Sequence, residues 1–229
     1  MFQRELSVAK ALNHPNIVRV LDQGEAEGAL FFVMEFCEQG SVGELMGRSG
    51  GRLNPARAGE IALEALAGLE YAHLLNIVHR DLKPGNLLIA GTGKGSVKIA
   101  DFGLAKNFAL AGMSGMTAAG DEGSGTPQFM PKEQLTDFRS TKPVSDVFGL
   151  GATLYNMLTG KFVYDFSASA DPCVAILHDR VVPVGQRGVS LPAPLSEVVD
   201  RATAPDFRDR YQTAREFSRA LLGALNTTA

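Results

Sequence analysis

Two long segments of the chain carry apolar residues with the spacing of α-helices. After Asn54 and Pro55, which suit the cap and the first turn of a helix, apolar residues return every three or four positions as far as residue 72. This pattern predicts a long helix that buries one face. Residues 144–158 are apolar enough all round to predict a central buried helix that is stopped by Gly160.

The first part of the chain predicts one helix and one pair of strands. Residues 2–12 have a helical pattern that stops before an Asn-His-Pro sequence. Residues 18–21 and 30–36 are short apolar runs typical of strands, and Gly24 and Gly28 mark the turn between them. The chain is therefore predicted to open as a helix followed by a β-hairpin.

A second strand pair and a last helix are predicted further along. Residues 87–89 and 97–99 are short apolar runs separated by a glycine-rich turn. Thr213 and Glu216 form a Thr-x-x-Glu capping box, which predicts a helix that runs to about residue 222 and stops at the glycine that follows. The rest of the second half is also predicted to be helical.

Composition and charge narrow the classes of partner. The 229 residues carry 22 Lys and Arg against 25 Asp and Glu, a net charge of −3, so there is no positive field to hold nucleic acid. No apolar run approaches the roughly 20 residues of a membrane helix, and the start lacks a signal peptide's apolar core. We therefore expect no nucleic-acid partner, no membrane segment and a cytoplasmic location. Cys37 and Cys173 suit neither a disulfide framework nor a zinc site, and they indicate a reducing compartment.

Chemically active side chains are concentrated in two short segments. Residues 79–86 read His-Arg-Asp-Leu-Lys-Pro-Gly-Asn, and residues 101–103 read Asp-Phe-Gly after the second strand pair. In order and spacing they resemble the catalytic loop and the magnesium-binding triplet of protein kinases. Residues 142–146 and 151–155 further resemble the eukaryotic-like, bacterial-type serine/threonine kinases.

The resemblance implies a role for each polar residue of these motifs. Asp81 would accept or orient the proton of the substrate hydroxyl, and Lys83 would bring a cation to the γ-phosphate. Asn86 and Asp101 would hold Mg²⁺, which prefers hard oxygen ligands. The Lys-Pro-x-Asn pattern implies a serine or threonine acceptor on a protein substrate, with ATP as the phosphate donor.

The implied nucleotide contacts extend toward the start of the chain. Glu5 takes the place of the glutamate that pairs with a lysine of the N-terminal lobe. Met34 would be the gatekeeper beside the adenine, while the Glu35 carbonyl and the Cys37 amide would bond to the edge of the base. The full implied set of nucleotide-binding residues is Glu5, Met34, Glu35, Cys37, Lys83, Leu88 and Asp101.

Residues 101–133 resemble a kinase activation segment. Thr126 would contact the catalytic loop, and Arg80 would receive the charge of a phosphorylated side chain. Residues 112–126 are rich in Gly, Ser, Thr and Met and predict a flexible loop. The candidate phosphorylation sites in it are Ser114, Thr117 and Ser124. A plain solvated linker without any such site is an equal alternative.

Further residues resemble the structural supports of the family. Glu133 and Arg210 take the places of an ion pair that closes the activation segment. Asp146 resembles the aspartate that braces the catalytic loop from the central helix. His79 is expected to pack against Phe102 rather than to act as an acid or base.

The implied fold is an α+β protein-kinase fold with a truncated N-lobe. Residues 1–36 would form a remnant of that lobe, with one helix and two strands, and residues 37–229 a complete, mainly helical C-lobe with the hinge and the activation segment. The sequence contains no Gly-x-Gly-x-x-Gly loop and no strand lysine ahead of Glu5, so little or no kinase activity is expected of this chain alone. Two hypotheses remain: a serine/threonine kinase whose missing parts come from an upstream segment or another chain, and a non-catalytic module that binds a protein partner.

Overall fold

The computed structural model describes residues 12–26, 29–102, 127–137, 141–167, 171–178 and 180–227. The predicted helix over residues 2–12 and the predicted loop over residues 112–126 fall outside the described residues, except for Leu12, which is buried in the core.

The predicted first hairpin is present with shifted bounds. Strand β1 spans Val20–Ala26 and pairs antiparallel with β2, Ala29–Met34. The prediction that Gly24 marks the turn is wrong, because Gly24 lies within β1 opposite Phe31. The Phe31 ring lies over this position, where an added Cβ would approach a ring carbon at 2.4 Å. A close side-chain approach therefore explains this glycine.

Two helices follow the first hairpin. Helix α1, Val42–Arg48, was not predicted, although Ser41 and Glu44 form a reciprocal capping box at its start. Helix α2 spans Pro55–Leu74, which confirms the predicted long helix. The Asn54 side chain caps it, as predicted, by accepting a hydrogen bond from the Arg57 amide at 2.9 Å. Its buried face consists of Ala58, Gly59, Ile61, Ala62, Ala65, Leu66, Gly68, Leu69 and Ala72.

The second hairpin lies against helix α2. Strand β3, Leu87–Ala90, pairs antiparallel with β4, Ser96–Ile99, as the apolar pattern predicts. An additional segment pairs with β4 in parallel, since the Val18 amide donates to the Ile99 carbonyl and the Ile99 amide donates to the Asn16 carbonyl, both at 2.9 Å. The first part of the chain is thereby fixed beside the end of β4.

The remaining helices form the mainly helical part of the fold. They are α3, Lys132–Thr136; α4, Pro143–Thr159; α5, Pro172–His178; α6, Ala193–Ala202; and α7, Ala214–Asn226. Helix α4 is buried on all sides and ends at Gly160, whose φ of 69° is left-handed, as predicted. It lies at the centre, with α2 and α6 packed against it.

Helix α7 is longer than the sequence pattern predicts. The Thr213 side chain caps it by accepting from the Glu216 amide, as expected. The predicted stop at Gly223 is wrong, because the helix continues to Asn226. Ala224 is buried, and Leu225 reaches into the space beside Gly59 of α2. Packing against α2 therefore outweighs the weak helix propensity of one glycine.

The overall architecture is α+β, with two two-stranded sheets and a mainly helical body in the part of the chain that the structure describes. One continuous apolar core runs through helices α2, α4, α6 and α7 and the second hairpin. No described helix is both long and apolar enough to cross a membrane.

Candidate active site

The loop between α2 and β3 gathers two polar side chains around one carboxylate. The Lys83 ammonium lies 3.4 Å from Asp81 Oδ2. The Asn86 side-chain amide donates to the Asp81 backbone carbonyl at 2.7 Å and to Asp81 Oδ2 at 3.2 Å. The short 3-10 helix Pro84–Asn86 brings Asn86 back toward Asp81. The structure thus unites three of the residues that the motif singled out.

Asp101 is positioned beside this group by the second hairpin. The Ala100 amide donates to the Asn86 backbone carbonyl at 2.9 Å, which fixes the residue before Asp101 against the catalytic loop. Asp101 is exposed and has a φ of 61°. A left-handed conformation in a non-glycine residue costs of order 1–3 kcal/mol and is most common at functional sites. The hairpin therefore holds Asp101 in an unfavourable backbone conformation next to Asn86.

Asn86 and Asp101 have donor atoms that suit a magnesium ion. Both hydrogen bonds of the Asn86 side chain use its amide nitrogen, so its oxygen is not engaged by the described residues. Mg²⁺ takes one or two protein oxygen ligands and completes its shell with water and phosphate. No group of three or more His, Cys, Asp or Glu residues suited to a metal occurs among the described residues.

Asp146 holds the catalytic loop from the central helix. Its carboxylate is buried and accepts hydrogen bonds from the His79 amide and the Arg80 amide, both at 2.8 Å. His73 Nε2 makes a third contact at 2.8 Å. Burial alone would raise the pKa of the Asp146 carboxyl, but the His73 hydrogen bond, the two histidine rings and the Arg80 amide together lower it. The carboxylate therefore stays ionised as the anchor of the loop.

Hydrogen bonds hold both the backbone amide and the backbone carbonyl of Arg80. Its amide donates to Asp146, and its carbonyl accepts a 2.6 Å hydrogen bond from the Gln134 side chain of α3. Arg80 has a φ of 71°, so these contacts hold a second left-handed residue directly before Asp81. The contributions of His73 and Gln134 were not predicted, because both depend on long-range contacts that no local pattern marks.

His79 links the catalytic loop to the segment that carries Asp101. Its Nε2 contacts the Ala100 carbonyl at 2.7 Å, and its Nδ1 accepts from the Asp81 amide at 3.1 Å. These partners assign the proton to Nε2. The ring also packs edge-on against Phe102 at 4.8 Å between centroids, as predicted. His79 is therefore a positioning residue.

The segment after β2 has the features expected of a nucleotide hinge. Among the described residues, neither the Glu35 carbonyl nor the Cys37 amide has a hydrogen-bond partner. The Glu35 side chain has a separate structural role, since it accepts from the Arg19 amide at 2.6 Å and from Lys98 at 3.1 Å. Met34 is 37% exposed. The hinge is thus anchored by a side chain, and two of its backbone groups remain available.

A small apolar cluster lies between the hinge and Asp101. Cys37 packs with Val18 and Ala100, and Leu88 and Ala90 of β3 pack against this cluster. Burial is the main cause that raises the pKa of the Cys37 thiol, and the negative charge of Glu35 raises it further. The thiol therefore stays protonated and acts as an apolar side chain. Leu88 and Cys37, both in the predicted set of nucleotide-binding residues, therefore belong to one apolar cluster.

Of the remaining predicted residues, two form an ion pair, and the others lie outside the described part of the chain. Arg210 and Glu133 are brought together, with their closest atoms 2.6 Å apart. The predicted residues outside the described part of the chain are Glu5, Ser114, Thr117, Ser124 and Thr126.

Comparison with known proteins defines the class. The sequence model of the protein kinase domain matches residues 1–220, and the chain belongs to that family. The serine/threonine-protein kinase PknB of Mycobacterium tuberculosis is 38% identical over 231 residues, which cover 98% of this chain and 36% of that protein. The serine/threonine-protein kinase PrkC of Bacillus subtilis is 31% identical over 215 residues, covering 94% of this chain and 32% of that protein. The chain thus spans about a third of the length of these relatives.

Solved structures share the fold. A crystal structure of Rad53 in complex with AMP-PNP has a TM-score of 0.75 at 27% identity, covering 96% of this chain and 53% of that one. The PknI kinase domain of Mycobacterium tuberculosis has a TM-score of 0.73 at 24% identity, covering 98% of this chain and 77% of that one. The predicted protein-kinase fold and the predicted family are therefore confirmed.

Proposed function

We propose that this chain is the catalytic domain of an enzyme that transfers the γ-phosphate of ATP to serine or threonine hydroxyls of proteins. The observation that carries the proposal is the convergence of Lys83 and Asn86 on the carboxylate of Asp81, with Asp101 fixed beside them. A carboxylate, a cation and two oxygen donors are the groups that phosphoryl transfer requires. The relatives named as serine/threonine kinases support the choice of acceptor.

The residues of the catalytic loop would divide the work. Asp81 would orient the substrate hydroxyl and accept its proton. The Asn86 side chain holds the Asp81 carboxylate, and Asp146 holds the backbone amide of the preceding residue, Arg80. Lys83 would place its positive charge at the transferring phosphate. Bound Mg²⁺, held by Asn86 and Asp101, would neutralise charge on the phosphate oxygens.

The hinge would bind the adenine by its backbone. The Glu35 carbonyl and the Cys37 amide offer one acceptor and one donor, which match the edge of the base. Leu88 and the cluster around Cys37 would form the apolar floor below it, and Met34 would flank it. Glu5 remains the residue we expect to pair with an N-lobe lysine. We place the division between the lobes after residue 36, because β2 ends at Met34 and Cys37 already packs with β3.

The activation segment would carry the regulation. Arg80 precedes Asp81, and its backbone is hydrogen-bonded to Gln134 and Asp146. Charge added near Arg80 would therefore act directly on the catalytic loop. Ser114, Thr117 and Ser124 are the proposed sites of such charge, and Thr126 is the proposed contact to the loop. The cytoplasm is the proposed compartment, since it supplies ATP and keeps thiols such as Cys37 and Cys173 reduced.

Nucleotide binding provides the first test. We expect Mg-ATP to raise the melting temperature of the chain, by mass action on the folded state. Asp101→Ala should abolish this shift and Asp81→Asn should retain it, because only the first removes a proposed metal ligand. Equal shifts in both variants would contradict the assignment of Asp101.

Phosphate transfer provides the second test. A fusion that places a kinase glycine-rich loop and lysine-bearing strand ahead of Met1 would be incubated with radiolabelled ATP and a library of Ser, Thr and Tyr peptides. We expect label on serine and threonine, and a loss of about 10²–10⁴-fold in Asp81→Asn. Label on tyrosine alone, or an unchanged rate in Asp81→Asn, would refute the proposed function.

A further inference from the structure

A cavity among the described residues lies away from the proposed active site. It has a volume of about 400 Å³ and is walled by the end of α1, the start of α2 and the turn between β3 and β4. Ligand pockets commonly have volumes of about 300–1,000 Å³. Its apolar side chains are Leu45, Leu53 and Ile89. The cavity is thus large enough to receive one or two side chains of a partner.

Side-chain hydrogen bonds hold the wall of this cavity in place. The Gln39 side chain donates to the Gly91 carbonyl at 2.6 Å, and Arg57 Nη2 donates to the Lys94 carbonyl at 2.7 Å. Both bonds tie the β3–β4 turn to neighbouring elements. The turn therefore forms a fixed wall, and the cavity is formed without a ligand.

The charges around the cavity are mainly positive. Arg52, Arg57 and Lys94 line it, and no carboxylate does. Glu60, one turn along α2, is shared between Arg57, at 3.6 Å, and Lys94, whose ammonium contacts its other oxygen. Arg57 Nη1 is buried without a hydrogen bond to the described residues, and Arg52 has no ion pair with them. Glu60 therefore contacts two of the three cations, and Glu38 accepts a hydrogen bond from the Gly91 amide of the turn at 2.8 Å. Three cations beside these two acids leave an excess of positive charge.

The cavity is separate from the site of phosphate transfer. Strand β3 begins directly after Asn86 and β4 ends just before Asp101, whereas Lys94 lies in the turn at the opposite end of the hairpin. Four residues of strand span about 13 Å at 3.3 Å per residue. A ligand bound at the turn would not occupy the proposed magnesium residues.

We propose that this cavity is a docking site for an acidic segment of a protein partner, in which leucine-like side chains lie between carboxylates. The carboxylates complement Arg52, Arg57 and Lys94, and the apolar side chains complement Leu45, Leu53 and Ile89. A bare phosphate would satisfy only the cations and would leave the apolar floor uncovered. The docking site does not depend on the proposed catalysis, since binding alone defines it.

Direct peptide binding to the 229-residue chain tests the docking site. The probe is a fluorescein-labelled heptapeptide, Glu-Asp-Leu-Glu-Leu-Asp-Glu, followed by fluorescence anisotropy. We expect binding that weakens as salt is added, because exposed charges are screened. The double variant Arg52→Gln and Lys94→Gln should weaken it about tenfold. Arg219→Gln, which removes an exposed cation of α7 outside the cavity lining, is the matched control and should bind as the parent chain does.

The alternatives give different results in the same assay. A peptide with serine in place of both leucines should bind more weakly, and inorganic phosphate at the peptide's concentration should not displace the parent peptide. No binding, equal binding by the double variant, or equal binding of the serine peptide would overturn the proposal. Displacement by inorganic phosphate would instead assign the cavity to small anions. Thermal unfolding of each variant confirms that the fold is intact.

Discussion

Arg210 donates hydrogen bonds from both terminal nitrogens to the carboxylate of Glu133, which lies 77 positions earlier in the chain. The Arg210 side chain is completely buried, whereas that of Glu133 is 29% exposed. The guanidinium also donates to the carbonyls of Ala204 and Pro205 and lies 4.7 Å from the Phe148 ring centroid. This pair attaches the start of α3 to the segment ahead of α7.

Removal of Glu133 should therefore strongly destabilise the fold. Glu133→Ala leaves a buried guanidinium without its counter-charge, and breaking a buried pair from one side costs about 3–5 kcal/mol. Because Glu133 is partly exposed, we expect a value at the lower end of that range. Urea unfolding measures the change in the free energy of unfolding.

The exposed pair between Asp206 and Arg208 is the matched control. It belongs to the same region of chain, but Arg208 is 77% exposed. Solvent screens such a pair, and its long side chain loses entropy in forming it. Arg208→Ala removes this pair, keeps the Asp206 cap on the Arg208 amide, and should therefore leave the unfolding midpoint almost unchanged. A loss as large as that of Glu133→Ala would show that burial is not what makes the Arg210 pair important.

Asp146 should make the fold sensitive to acid. Its folded pKa is lowered, so its contribution to stability is present above the unfolded aspartate pKa of about 3.9 and is lost as the pH falls through the folded value. Asp146→Asn has no such titration and presents one oxygen fewer to the His79 and Arg80 amides. An amide left unpaired by this change costs about 1–3 kcal/mol.

The measurement is urea unfolding of the parent chain and Asp146→Asn across a pH series. We expect the parent chain to be the more stable at about pH 5, and the margin to shrink as the pH falls below about 4. A margin that grows as the pH falls below about 4 would mean that the pKa of Asp146 is raised in the folded state.

Replacing either of two helical glycines by alanine should change the stability of the fold, and the two changes should have opposite signs. At Gly151 of α4 an added Cβ would lie 2.8 Å from the Ala202 Cβ and 3.2 Å from the Ala202 carbonyl carbon, so α6 would have to move. Overpacking of this kind costs about 1–3 kcal/mol, and the gain in helix propensity offsets about 1 kcal/mol of it. Gly151→Ala should therefore be destabilising in thermal unfolding.

Gly223 of α7 is the matched case with open space around it. Outside the neighbouring backbone of α7, no atom of the described residues lies within 4 Å of an added Cβ there, so only the backbone effect remains. Gly223→Ala should stabilise the chain by about 0.5–1 kcal/mol. Destabilisation by Gly223→Ala would indicate that the C-terminal turn of α7 needs a glycine after all.

Local signals explain which parts of this fold could be predicted. Helix α2 was predicted because its cap at Asn54 and its apolar repeat are both within the helix. The end of α7 was not, because Leu225 is held by its contact with Gly59 far back in the sequence. In the active site, Asp81 and Asn86 lie in one contiguous motif, whereas Gln134 reaches Arg80 from 54 positions away. Gln134 acts through a long-range contact that leaves no local pattern, whereas the even more distant pair of Glu133 and Arg210 was predicted only because the family resemblance implies it.

The activity of the 229-residue chain alone should be low. Its sequence contains no Gly-x-Gly-x-x-Gly loop and no lysine ahead of Glu5, so these residues supply neither a cover for the phosphates nor the cation that pairs with that glutamate. Preorganised charge at the transferring phosphate is worth about 10²–10³-fold for each group removed. We therefore expect the chain to phosphorylate a serine/threonine peptide at least 10²-fold more slowly than the fusion that carries both elements.

The comparison of rates separates a missing element from a defective site. If the fusion is fast and its Asp81→Asn variant is slow, the catalytic loop of this chain is competent and only the phosphate cover limits it. The fusion's rate should then depend on Mg²⁺ and fall in Asn86→Ala, because Asn86 Oδ1 is the proposed second metal ligand. Equal rates for the chain and the fusion, both lost in Asp81→Asn, would show that Lys83 and the metal residues suffice to hold the phosphates. The glycine-rich loop would then be dispensable for transfer in this protein.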